Sequence, residues 1–301
     1  MQLYGIQSTA MRYFLEVVRC GSIAEASQKL NVAASAVSRQ ISKLEGQIGV
    51  PLLERRQRGV VASPAGERLA EHARRSQLDA EEILSEIQGM SGLRTGLVRI
   101  ACVEGMASEF MPDLIHRFRL QYPGIHFELY VHNPFLVTKR VQEGECDLGL
   151  TLTLTPAKDV RVEKEMTAGI HAVMAPTHPL ALRETVTLKE LQGYQLALPS
   201  TDTTMRQLFD ISSGVQQLVF RSVMVSNNVA ALFWFATKGA AITLSGEFSL
   251  RGRISRSELV AIPITDEVMQ SRRIEVQSMA GRHLPLAVAA FRDFLTAELT
   301  G

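Results

Sequence analysis

From Gly96 onward the chain alternates short apolar runs with amphipathic helical segments, and this alternation constrains the fold more than any other feature. Residues 97–103, 125–131 and 147–152 read as strands, with helices at 110–120 and 135–142 between them. Such a pattern specifies parallel β-α-β units with right-handed crossovers. A second set of strands is expected near 171–175, 195–198, 219–225 and 240–244, while a late strand at 273–279 and a helix at 285–299 return to the first set. Two α/β lobes joined by chain crossings enclose a cleft, and ligands of such sheets sit at strand ends and helix N-termini.

The first sixty residues follow another rule. Ala10, Phe14, Val17 and Val18 recur at helical spacing, and Gly21 follows where a left-handed stop is cheap for glycine. Ser22-Ile23-Ala24-Glu25 has the form of a capping box and opens a second helix, from which Ala24, Ala26 and Leu30 can pack on a neighbour. Asn31 and Val32 turn the chain into a third helix, whose Val37, Ile41, Leu44 and Ile48 form one buried stripe. Its opposite face carries Ser35, Ser38, Arg39 and Ser42.

Small polar side chains let a helix approach the DNA major groove closely, and Arg39 can then donate two hydrogen bonds to a guanine edge or clamp a phosphate. A helical hairpin with a solvated face has the same pattern. The next stretch favours the first reading. Residues 51–61 have alternating flanks, a glycine turn, and Arg55, Arg56 and Arg58 at the tip, as a β-ribbon wing that meets phosphates or the minor groove would. Charge agrees: the whole chain sums to +1, but up to Ser63 eight Lys or Arg face four Asp or Glu.

Several classes fit poorly. Cys20, Cys102 and Cys146 have neither disulfide-framework nor metal-ligand spacing, which suits a reducing cytoplasm. The seven histidines show no metal spacing and no nucleophile partner, and there is no phosphate-cradling glycine loop, so no metal, cofactor or catalytic residue is expected. The start of the chain is unlike an export signal and no apolar stretch reaches the ~18 residues of a membrane span. A two-lobed solute-binding protein would need export, and a two-lobed α/β enzyme leaves the basic head without a purpose.

Ser63 and Pro64 make a strong helix start, and the helix is expected to run to about Met90. Leu69, Ala73, Ser76, Ala80, Ile83, Ile87 and Met90 alternate steps of 4 and 3 along it, a heptad seam whose small middle would let two such helices approach. Packing on its own domain is the other use of such a stripe.

The ordered residues Tyr13-Phe14, Gly21 to Ala26, Val37 to Ile41, Leu44-Glu45, Gly49 to Arg55 and Ser63 to Gly66 closely resemble the LysR-type transcriptional regulators. The rest resembles that family's effector-binding domain more diffusely, through Met111-Pro112, Tyr122-Pro123, Asp147 to Leu150, His178 to Leu180, Lys238 to Ile242 and Phe291-Arg292. The resemblance implies a multidomain fold: a winged helix-turn-helix (1–62), a linker and dimerisation helix (63–92), and a two-lobed periplasmic-binding-protein-like domain (93–301). Lobe I would be 93–165 with 268–301, and lobe II 166–267.

It further implies a cytoplasmic dimer or tetramer that binds an interrupted palindromic operator, answers to a small effector and has RNA polymerase as a further partner. Base and phosphate contacts would fall on Ser38, Arg39 and Arg58. Where the family usually has Ser-Gln-Pro, this chain has Ala33-Ala34-Ser35, so Ala34 makes no bidentate adenine contact, the cap at Ala33 is lost and Ser35 is expected to cap a shorter helix.

By family position the effector cleft would be lined by Val103, Glu104 and Gly105, by Ser200, Thr201 and Thr203, and by Ser226 and Asn227. Val103 and Gly105 replace Ser or Thr of many members, which predicts a roomier and less polar wall. Free N–H groups at two helix starts would favour a carboxylate, and the space beside them an apolar part, although Glu104 would attract a cation. Some members sense oxidants through cysteines. Cys102 and Cys146 have no basic neighbour in sequence, and a buried apolar role suits them better.

Overall fold

The computed structural model describes residues 8–57, 59–89, 95–154 and 157–299. It divides into two compact units, Met1–Gly92 with Arg282–Leu286, and Leu93–Gly281 with Ala287–Gly301.

The first unit contains α1 (Thr9–Cys20), α2 (Ile23–Leu30), α3 (Ala34–Ile48), the antiparallel ribbon β1 (Leu53–Arg56) and β2 (Gly59–Ala62), and the long α4 (Pro64–Gly89). Phe14, Val17, Ala26, Val37, Ile41 and Leu52 are buried together at its centre. Gly21, with φ of 63°, stops α1 by donating its N–H to the Val17 carbonyl. Ser22 accepts from the Glu25 N–H as expected, but the Glu25 carboxylate turns to Lys29 at 3.4 Å instead of closing the box.

Three helical details differ from the sequence reading. Ala24 is exposed and Ile23 packs on the core in its place. The α3 stripe ends at Leu44, because Gly49 ends the helix and leaves Ile48 44% exposed. Ser35 does not cap α3: the helix starts at Ala34 with Ala33 as an N-cap that offers no side-chain bond.

Two close approaches fix the wing. A Cβ on Gly59 (φ +106°) would fall 2.2 Å from the Gly21 carbonyl oxygen, so only glycine fits against the α1 turn. The Glu45 carboxylate accepts from the N–H groups of Leu52 (2.8 Å) and Leu53 (3.3 Å), tying the end of the reading helix to the first strand of the wing. Ser63 caps α4, accepting from the Gly66 N–H at 3.0 Å.

The second unit starts with β3 (Gly96–Cys102), α5 (Glu104–Ala107), α6 (Phe110–Gln121), β4 (Ile125–Val131), α7 (Pro134–Gln142), β5 (Leu148–Thr153) and β6 (Val160–Thr167). The chain then crosses to β7 (His171–Met174), α8 (Leu188–Leu191), β8 (Leu196–Pro199), α9 (Thr204–Val215), β9 (Ser222–Ser226), α10 (Val229–Thr237), β10 (Ile242–Ser245), α11 (Arg251–Ser255) and β11 (Val260–Pro263). It returns through β12 (Arg273–Met279) and α12 (Leu286–Glu298).

Two five-stranded sheets result, ordered β4-β3-β5-β12-β6 and β11-β7-β10-β8-β9. The parallel expectation holds for β3 with β4 and β5 and for β8 with β9 and β10, whereas β12 and β7 each run antiparallel to both neighbours. Strands β6 and β11, absent from the sequence reading, lie at sheet edges, where one side is solvated. Each sheet has its own core. Phe118, Phe127 and Phe291 stack edge-on over the first, and Leu196, Phe209, Ile242 and Leu244 fill the second.

Candidate DNA interface and effector cleft

On α3, Ser35, Ser38, Arg39 and Ser42 are exposed, in the 3–4 spacing that puts them on one side of the helix, opposite buried Val37, Ile41 and Leu44. Lys43, which the sequence reading did not single out, is exposed one turn after Arg39 and extends the basic face. On the wing, Arg55 and Arg56 are exposed, and Arg56 is held at 2.7 Å by Glu54. Arg58 lies outside the described residues. One helix thus offers an arginine among small hydroxyls, the chemistry that reads base edges and phosphates.

The expected seam on α4 is corrected at its start. Ala73 is buried in the core of the first unit, which removes it from a partner helix, and Leu69, half-buried, packs against that core. Ser76 is half-buried and Ala80 buried, while Ile83 and Ile87 are 53% and 58% exposed; Met90 lies outside the described residues.

In the second unit, a cavity of about 580 Å³ opens between the two sheets. Val103, Glu104, Gly105, Ser200, Thr203, Ser226 and Asn227 all line it, as expected. Thr201 is not part of the lining and is exposed. Much of the wall is apolar, with Leu136, Leu152, Met166, Met205, Phe248 and Ile274.

Some of the polar groups at the helix starts are already engaged, among them the N–H groups of Arg206, Val229 and Ala231. Thr203 Oγ1 donates to the Ser200 carbonyl (2.9 Å) and accepts from the Arg206 N–H (3.2 Å), capping α9. Ser200 Oγ donates to Asp202 at 2.5 Å. Asn228 caps α10 through the Ala231 N–H, and Glu104 reaches across from the other lobe to accept the Val229 N–H at 3.0 Å. A second carboxylate, Glu109, accepts from the Gly252 N–H (3.0 Å) and from Arg256 (3.2 Å). Nor is the wall at Gly105 roomier, since a Cβ there would meet Ser249 Oγ at 2.5 Å.

Sequence reasoning missed three groups that face this cavity. Arg272 is only 1% exposed, and its Nη1 has no hydrogen-bond partner among the described residues. His171 Nδ1 and His132 Nε2 are likewise buried and unpartnered there. Burial holds both imidazoles below their ordinary pKa; for His171, Glu247 pulls the other way and Arg272 adds to the depression.

Cys102 and Cys146 are fully buried, and burial pushes both thiols up to about 12, which suppresses the thiolate that oxidation requires. Among the described residues no helix is long and apolar enough to cross a membrane.

Comparison with known proteins accounts for both units. The family model of the bacterial regulatory helix-turn-helix protein, lysR family, matches residues 8–67, and that of the LysR substrate binding domain matches residues 91–300. The chain is 28% identical to the transcriptional activator protein LysR of Escherichia coli (strain K12) over 258 residues, which are 84% of this chain and 83% of that protein. Among solved structures, full-length CbnR complexed with its target DNA is similar with a TM-score of 0.59 and 18% identity, over 96% of this chain and 98% of that one. The effector binding domain of QuiR in complex with shikimate is similar with a TM-score of 0.55 and 16% identity, over 68% of this chain and 97% of that one. A helix-turn-helix unit joined to a two-sheet unit with a cavity between its sheets is therefore a shared architecture, and this chain belongs to the LysR family of DNA-binding transcriptional regulators with effector-binding domains.

Proposed function

We propose that this regulator binds an interrupted palindrome in cytoplasmic DNA as a dimer or higher oligomer, and that a small acid with a sizeable apolar part, held between the two sheets, modulates that binding. The observation that carries the reading is the 580 Å³ cavity with a mixed apolar and polar wall in one unit, in a chain whose other unit exposes Ser35, Ser38, Arg39 and Ser42 on one helix. QuiR, which shares the fold of the second unit, is solved with the carboxylate shikimate. Boundaries at 62, 92, 165 and 267 would then separate head, linker helix and lobes. The exposed end of α4, with Ile83 and Ile87, is the part of the seam left to a partner copy, and RNA polymerase is the further partner at the promoter. The chain acts by binding rather than by catalysis.

A screen of small acids by thermal shift tests the effector class, since a ligand at 100 times its Kd adds about 2.7 kcal/mol to the state that binds it. An acid that stabilises the chain and changes operator affinity supports the reading. Stabilisation confined to compounds without an acid group would remove the effector class. A light-scattering mass of one chain in dilute solution would remove the dimer, and with it the paired half-sites about one helical turn apart.

A further inference from the structure

Arg272 heads the largest fully buried side chains, and among the described residues this cation has no counter-charge. Its guanidinium makes one hydrogen bond among those residues, from Nε to the Ala168 carbonyl oxygen at 3.2 Å. Nη1 has none, and among the described residues no carboxylate pairs with it. The chain does satisfy buried charge elsewhere on the same segment: Glu275, 2% exposed, accepts from Thr153 at 2.6 Å and from Gln277 at 2.7 Å. Burying a charge without a partner costs several kcal/mol in general. Such a group persists at a binding site, where the missing partner arrives with the ligand.

Arg272 lines the interlobe cavity and is the one lysine or arginine that does so among the described residues. Gly246 makes its place: a Cβ there would lie 2.5 Å from Nη2. At the helix starts that also face the cavity, one N–H of each is already held by a side chain: Glu104 accepts the Val229 N–H and Thr203 the Arg206 N–H. The remaining charge facing the cavity is acidic, from Glu104, Asp202 and Glu247.

We infer that Arg272 is the anion anchor of the cleft, and that it takes the carboxylate of a ligand carrying a single negative charge. One guanidinium matches one anionic group, while a second would face Glu104 or Asp202 with no further lysine or arginine among the described lining residues. The apolar wall of Leu136, Met166 and Phe248 receives the remainder of the molecule. This inference rests on the cleft being the effector site.

The test follows thermal unfolding of the full chain at fixed ionic strength with benzoate, benzamide or phthalate. Benzoate should raise the midpoint by several degrees, and benzamide and phthalate should leave it in place. Arg272→Met should melt above the wild type without ligand, since an unpaired buried charge is gone, and should not respond to benzoate. Gly246→Ala keeps the cation but displaces the flexible guanidinium, so it should fold and lose the benzoate response, which keeps the test decisive if Arg272→Met does not fold. No benzoate response in the wild type, an equal response to benzamide, or an undiminished response in either variant overturns the anchor. A neutral or cationic compound that shifts both the midpoint and operator binding overturns the anchor and leaves effector control standing. If no compound of any charge changes operator binding, effector control itself fails.

Discussion

On α3, the side chains of Ser35, Ser38, Arg39 and Ser42 stand in water without a hydrogen bond to other described residues, whereas in the cleft Thr203 and Glu104 are each tied to a backbone N–H in the free chain. A surface that reads base edges keeps its donors and acceptors uncommitted, because water satisfies them at no cost until the duplex arrives. A partly enclosed cavity offers less solvent, so many of its polar groups are satisfied internally, and the buried ones that are not select the ligand. Exposed Arg39 is therefore tested by affinity alone, while buried residues of the cleft are tested by stability as well.

The largest expected effect falls on the head. Arg39→Ala should weaken operator binding by about 1–3 kcal/mol and leave random duplex unchanged, as titration of two labelled duplexes would show. Equal losses on both would place Arg39 on the phosphate backbone. Arg58→Ala should weaken both duplexes alike and lower the salt slope by about 1.

Glu104 sharpens the other side of the contrast. Glu104→Ala leaves the Val229 N–H without its carboxylate and should lower the stability of the second unit by about 1 kcal/mol in chemical denaturation. Glu104→Gln, which still offers an acceptor oxygen, should recover most of the loss. If the alanine variant were as stable as the wild type, the bond between the lobes would contribute nothing.

The smallest effect is on pH. His132, His171 and His178, all in the second unit, have pKa values lowered from 6.5, chiefly by burial. Below 6.5 the unfolded chain binds protons that the folded chain does not, so stability falls with pH until the lowered values are reached. His171→Gln should flatten part of this fall below pH 6.5 in a denaturation series. An unchanged slope would mean that His171 protonates as readily folded as unfolded.

The sequence made the head legible almost residue by residue, because helical spacing and glycine stops are local signals: Gly21 ended α1, and Val37, Ile41 and Leu44 faced inward. The strand pattern of the second unit was equally clear wherever a strand has two neighbours. Strand β6, with the sequence Val160-Arg-Val-Glu-Lys-Glu-Met-Thr167, was hidden because an edge strand carries charge on its solvated side.

The cleft was legible by position but not by chemistry. Whether a hydroxyl such as Thr203 caps its own helix or waits for a ligand is decided by tertiary geometry. Arg272 and Arg273 are adjacent and alike in sequence, yet Arg273 pairs with Glu165 at 2.7 Å at the surface. The available signal was the two-residue period: Arg272, Ile274 and Val276 share one buried side of the chain.

The position of Arg272 at a chain crossing has a mechanical consequence. Its Nε holds the carbonyl of Ala168 at one crossing, and the Ala168 N–H bonds back to the Arg272 carbonyl at 2.8 Å, so the two connecting segments are stapled at this residue. A jaw-like sensor grips its cargo at the tips and reports by shutting. Here the grip would be on the axle, where a load on the guanidinium reaches both connectors at once, and a small angular change there swings the far rims of the lobes by a larger distance.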